Sequence, residues 1–186
     1  MSLKRALPLA SAVAVAATAF VLRTGSASPA PAPTRATALD DPTIVAIFDA
    51  ANTWDIETGR LAATRGTTND VRQFGRMLMH DHTAVRQQGR DLARKLGVHP
   101  TPPANPPLYK EHLAAMTKLR GLHGKAFDRA FLENEVTYHQ AVIDAVTSTF
   151  LPAIQNAELK DFVTKVAPAF QAHKMRAQQL LDAMGK

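Results

Sequence analysis

Asp55, His82, His139 and His173 are ionisable residues placed where a helical protein builds its core. Each interrupts an apolar stripe whose hydrophobic members recur every three or four positions. A polar side chain on a core face costs several kcal/mol unless it finds a partner. Four such residues, one to a segment, therefore read as mutual partners or as ligands of one ion. Three neutral imidazoles and a carboxylate are transition-metal chemistry, and zinc, iron, copper and manganese all accept such donors. Glu135 lies four residues before His139 on the same helical face, so it is a fifth ligand or an orienting partner. Asp81 sits at the edge of its stripe, placed to fix the tautomer of an imidazole.

The elements that must position these residues are four long helices. The first is expected over about 42–65, capped by Asp40 or Asp41, with Pro42 in its first turn. The second is expected over about 68–96, with Thr67 and Asp70 as a capping box and Gly97 as the stop. Residues 99–107, HPTPPANPP, break regular structure, and a short helix over about 108–119 follows within the crossover. The third long helix is expected over about 125–150 and the fourth over about 156–184, with Pro168 inside the last. Two short connections flanking one long crossover predict an all-α, ferritin-like four-helix bundle in which the second and third long helices run parallel. At 1.5 Å per residue, Asp55 and His82 lie roughly 20 Å from one end, and His139 and His173 roughly 25 Å from the other. All four then meet near mid-height.

The plainer reading of the same pattern is a metal-free polar layer, in which Asp55 paired with histidines fixes helix register. A di-iron site of the ferritin kind needs a glutamate three residues before a ligand histidine on two helices. Here the residues three before His82, His139 and His173 are Met79, Val136 and Phe170, so a mononuclear site, or none, is expected. His80, His99, His112 and His123 fall outside the stripes and are expected in solvent. Met77 and Met79 near His82 read as packing.

Residues 1–27 have the pattern of a secretory signal: Lys4 and Arg5, an uncharged run from Ala6 to Leu22, then small residues at Gly25-Ser26-Ala27. The run is at the short limit for a membrane span of roughly 17–25 residues, so an uncleaved anchor in the inner membrane is the other reading. The expected location is periplasmic or extracellular, with no obligatory membrane contact once the signal is cleaved. Residues 28–39 read as a flexible Pro/Ala-rich linker and 40–186 as the folded unit. The chain has no cysteine, which excludes thiolate sites and disulfides. Lys4, Arg5, Arg23 and Arg35 carry four of the six net positive charges. A nearly neutral remainder gives no case for nucleic acid.

Several segments resemble a bacterial family named only domain of unknown function 4142. They are Asp55-Ile56-Glu57-Thr58-Gly59-Arg60-Leu61-Ala62, Met79-His80-Asp81-His82, Phe127-Asp128-Arg129-Ala130-Phe131, Tyr138-His139, and Leu159-Lys160-Asp161-Phe162 leading to His173. The likeness spans about residues 40–184. The family usually carries glutamate where this chain has Asp55. The resemblance implies an exported or envelope-associated protein of ferritin-like helical fold and implies no activity. Three function classes follow: metal binding or envelope stress tolerance, a structural or interaction module with a metal-free polar core, and a metal-dependent redox enzyme. The residues assign no catalytic role and name no protein partner.

Overall fold

The computed structural model describes residues 39–185, and these are helical with no strand among them. The expected signal and nearly all of the expected linker lie outside the described residues. Among the described residues, no helix is long and apolar enough to cross a membrane.

Helix α1 spans Asp41–Arg65, with Asp40 as its cap accepting from the Thr43 amide at 2.9 Å. Helix α2 spans Asn69–Leu96 and ends on Gly97 in the left-handed conformation. Its cap is Thr68, which accepts from the Val71 amide, and not the expected Thr67. The Thr67 amide and hydroxyl both donate instead to the buried Asp128 carboxylate, tying the hairpin to the third long helix. The crossover carries α3, Tyr109–Gly121. Helix α4 spans Gly124–Ala145 and continues as a π-helical turn, Val146–Phe150, before the single turn α5, Leu151–Ala153. Pro152 explains the change of ladder. It has no N–H for the Ser148 carbonyl and its ring crowds that group. The Leu151 amide reaches back five residues to Val146. Helix α6 spans Ala157–Ala183, capped by Asn156, and carries Pro168 inside it.

The four long helices pack chiefly as α1 on α2 and α4 on α6. Gly59 and Gly75 let the first pair approach closely. A Cβ on Gly75 would stand 2.5 Å from the Gly59 carbonyl oxygen and 2.6 Å from the Ala63 nitrogen. Helices α2 and α4 run the same way: Phe74 packs on Phe131, and one step further along both helices His82 packs on His139. The crossover therefore returns along the length of the molecule. Its start is pinned where the Thr101 amide donates to the Pro42 carbonyl. Its end is pinned where Arg65 donates to the carbonyls of Leu119, Arg120 and Leu122.

Two apolar clusters fill the interior. One gathers Ile44, Phe48, Val146, Phe150, Val163 and Phe170. The other gathers Phe74, Leu78, Phe127, Phe131, Leu132 and Leu180. Asp55, His82, Glu135, His139 and His173, all buried, belong to neither. They form a polar layer supported by apolar packing on both sides, which holds its side chains in fixed rotamers.

Candidate metal centre

One ligand atom each from His82, His139 and His173 lies within 4.8 Å of the other two, and the same holds for Asp55, Glu135 and His139. His139 belongs to both groups, so the five side chains form a constellation of two triads joined at one ring, with Glu135 Oε2 3.4 Å from His139 Nδ1. All are buried, with exposures between 0 and 3%. Helix α1 supplies Asp55, α2 His82, α4 Glu135 and His139, and α6 His173.

Each imidazole is held by one nitrogen and leaves the other bare. Asn52 donates its amide to the Phe48 carbonyl at 2.8 Å, so its oxygen faces His82 Nδ1 at 2.9 Å. His82 Nδ1 must then carry the proton, and Nε2 presents a lone pair. His139 Nδ1 donates to the Glu135 carbonyl at 3.0 Å, which leaves Nε2 bare. His173 Nε2 donates to Asp81 at 2.9 Å, which leaves Nδ1 bare. Holding one ring nitrogen so that the other is a ligand is the usual arrangement around a metal-bound histidine.

Buried side-chain atoms with no hydrogen-bond partner among the described residues are His82 Nε2, His139 Nε2, His173 Nδ1, Asp55 Oδ1 and Glu135 Oε2. They are one atom from each member of the constellation. An unsatisfied buried polar group costs about 1–3 kcal/mol. The three histidines that contribute to this set lie together, and a cation among them would offset their share of that cost.

The electrostatics follow from burial. Burial pushes the Asp55 carboxyl well above its ordinary range, and the neighbouring Glu135 pushes it further. Burial likewise raises Glu135, to about 7, against hydrogen bonds from Thr58 and Asp55. Burial holds His82 well below its usual value, with His139 and His173 adding to the effect. His139 falls to about 3, by burial and by His173. Without a cation, a protonated Asp55 and neutral His82 and His139 are the least costly state of these groups. A divalent ion inverts that balance, because it favours carboxylates and bare nitrogens together.

The structure brings together His82, His139 and His173 in one triad, and Asp55 and Glu135 with His139 in a second. Asp55 Oδ2 is 3.6 Å from His82 Nε2, so the shorter acid reaches the shared site. Asp81 lies outside, half-exposed, against His173. Asn52 is a member of the site that sequence reasoning does not single out. Its signal is present: it stands three residues before Asp55, one turn away on the inner face of α1. His112 is a correction. It is buried, not solvated: it stacks on Trp54 at 5.3 Å and bonds to Glu57 at 3.0 Å. Its helix is short and irregularly patterned, so periodicity does not reveal its inner face. Met77 is exposed, and His80, His99 and His123 lie at the surface.

The sequence matches the family described as Domain of unknown function (DUF4142) over residues 26–180. The chain belongs to that family. A search of curated proteins and a search of solved structures each gave no match. The constellation lies wholly within the matched residues, as do Asn52 and Asp81, which hold two of its imidazoles.

Proposed function

We propose that this chain is an exported, ferritin-like four-helix bundle that binds one divalent transition-metal ion at mid-height. His82 Nε2, His139 Nε2 and His173 Nδ1 supply nitrogen donors, and Asp55 and Glu135 supply oxygen donors. Asn52, the Glu135 carbonyl and Asp81 orient the three rings. The observation that carries this reading is that five buried atoms, one from each side chain of two triads sharing His139, lack hydrogen-bond partners while every imidazole is held by its other nitrogen. A metal-free polar layer selected only for register would also pair the three bare imidazole nitrogens. The pairing of α2 with α4 in parallel supports the ferritin-like topology.

The test is metal analysis of untagged protein, before and after incubation with zinc, iron, copper or manganese and removal of excess. One tightly held ion per chain, lost in His139→Ala, is expected. No ion retained with any of the four leaves the metal-free polar core as the function of the layer. Export is tested separately: the charged start and the apolar run before Gly25 predict a mature N-terminus near Ser28 in the envelope fraction. Mass spectrometry finding intact Met1 in soluble cytosol contradicts it.

A further inference from the structure

A pocket of about 230 Å³ lies between α1, α2, the start of α6 and the beginning of the crossover. Ile44, Phe48, Leu159 and Val163, all buried, form its apolar wall together with Phe162. None of the five residues of the two triads lines it. Pro100 and Pro102 close one side, and the Thr101 amide between them is tied to the Pro42 carbonyl at 3.0 Å. Neither proline has an N–H to offer, so this side is fixed and mostly apolar.

Two features of this pocket are not explained by packing. Gly89 lines it from the interior of α2, where glycine is a poor helix former. A Cβ there would lie 3.5 Å from Phe162 Cε1 and 3.9 Å from Phe48 Cδ1, which is ordinary contact, so helix packing does not require this glycine as it does Gly75. Its effect is to leave open the space beside Phe48 and Phe162, which a longer side chain would enter. The second feature is an excess of arginine. Asp49 on α1 meets Arg86 and Arg90, one turn apart on α2. Arg90 takes both carboxylate oxygens, through Nε and Nη2. Arg86 bonds through Nε alone, at 3.2 Å, so among the described residues its two terminal nitrogens have no protein partner. The three side chains are between 26 and 47% exposed, which puts them on the solvent side of the pocket. Two guanidiniums against one carboxylate leave a positive charge at the edge of an apolar space.

We propose that this pocket binds a small amphipathic carboxylate, its apolar part against Phe48 and Phe162 and its carboxylate on the terminal edge of Arg86. A chiefly apolar concavity with a few placed polar groups is the usual form of a small-molecule site. The terminal nitrogens of a guanidinium form a planar fork that matches a carboxylate with two parallel N–H···O bonds. An apolar cavity of about 150 Å³ is filled by benzene, so about 230 Å³ suits a short acyl chain or a substituted ring. A cationic amphiphile would meet the uncompensated charge, and a neutral one would leave it unused. The site is independent of the metal-binding reading.

The experiment is calorimetric titration of the purified protein at neutral pH with octanoate, octanol and octylammonium, which share a chain and differ in charge. Wild type is expected to bind one octanoate per chain and to bind octylammonium roughly tenfold or more weakly, the worth of a charge-assisted hydrogen bond. Arg86→Gln should weaken octanoate by a similar factor and leave octanol unchanged. Gly89→Leu, with its fold checked first by circular dichroism, should lose both octanoate and octanol because its side chain fills the space. No saturable binding of octanoate by wild type overturns the proposal. Equal binding of octanoate and octylammonium overturns the carboxylate as the recognised group. Undiminished octanoate binding by a folded Gly89→Leu overturns this pocket as the site. If Gly89→Leu does not fold, the Arg86→Gln comparison decides alone, and unchanged octanoate affinity there overturns the proposal.

Discussion

Replacing His139 by leucine separates metal binding from structural polarity. His139 is fully buried, joins both ligand groups and leaves Nε2 without a partner. In the metal-free protein, His139→Leu removes one orphaned atom, each of which costs about 1–3 kcal/mol, and keeps an apolar side chain of similar bulk in place. The hydrogen bond it gives up, to the Glu135 carbonyl, leaves an acceptor within an intact helix. The metal-free melting temperature should therefore stay level or rise. Zinc at a hundredfold excess over its dissociation constant should stabilise wild type by about 2.7 kcal/mol. At roughly 2–4 °C per kcal/mol for a domain of about 150–250 residues, that is a rise of about 5–11 °C. His139→Leu should lose most of that rise. Paired thermal melts with zinc and with chelator measure both quantities. The reasoning is refuted if the variant is several kcal/mol less stable without metal and still gains the full rise with zinc. That outcome would make His139 a structural residue whose ring the fold needs for packing.

Asp81→Ala should weaken metal binding by about 10–100-fold, because His173 loses the partner that fixes its tautomer; the metal-free melt should barely move, since Asp81 is over a third exposed. Competitive titration against a chelating dye reads the affinity. Between about pH 6.5 and 8 the metal-free protein should lose stability as pH rises. Asp55 and Glu135 are raised by burial, Glu135 to about 7, so the fold holds protons there that the unfolded chain has already released. His82 and His139, both lowered, are neutral in the folded chain, and unfolded histidine, half protonated at about pH 6.5, opposes the decline only at the low end of that window. Melts across the range in chelator should show the decline and melts in saturating zinc should not. Gly75→Ala should destabilise by about 1–3 kcal/mol with metal affinity unchanged, because its Cβ meets the α1 backbone some distance from the site; urea unfolding measures it.

The helices and the histidines are legible in the sequence because both depend on one periodicity. His82, His139 and His173 lie in register with apolar neighbours three and four residues away, so the stripe that buries Leu78 and Phe170 buries them too. Helix ends are legible where a cap is local, as at Asp40, Gly97 and Asn156. Thr67 escapes such reasoning because its partner, Asp128, is distant in sequence, and local spacing cannot reveal a tertiary bond. The π-helical turn escapes it for a different reason. Pro152 marks a disturbance, but apolar spacing does not say how the ladder absorbs it. His112 is buried by a single docking contact with Trp54 and Glu57, not by a stripe. Asn52 shows where periodicity alone stops. It lies one turn from Asp55, and only the position of His82 on the neighbouring helix turns it into an orienting group.

The most direct test of the central claim is an anomalous-scattering crystal structure of untagged protein soaked in zinc, read at the buried triad of His82, His139 and His173. The account predicts one ion there, with His82 Nε2, His139 Nε2 and His173 Nδ1 each within about 2.0–2.1 Å and at least one oxygen of Asp55 or Glu135 within about 2.0–2.2 Å. Zinc bound only at surface histidines such as His80 or His99, with no anomalous density in the layer, would contradict it.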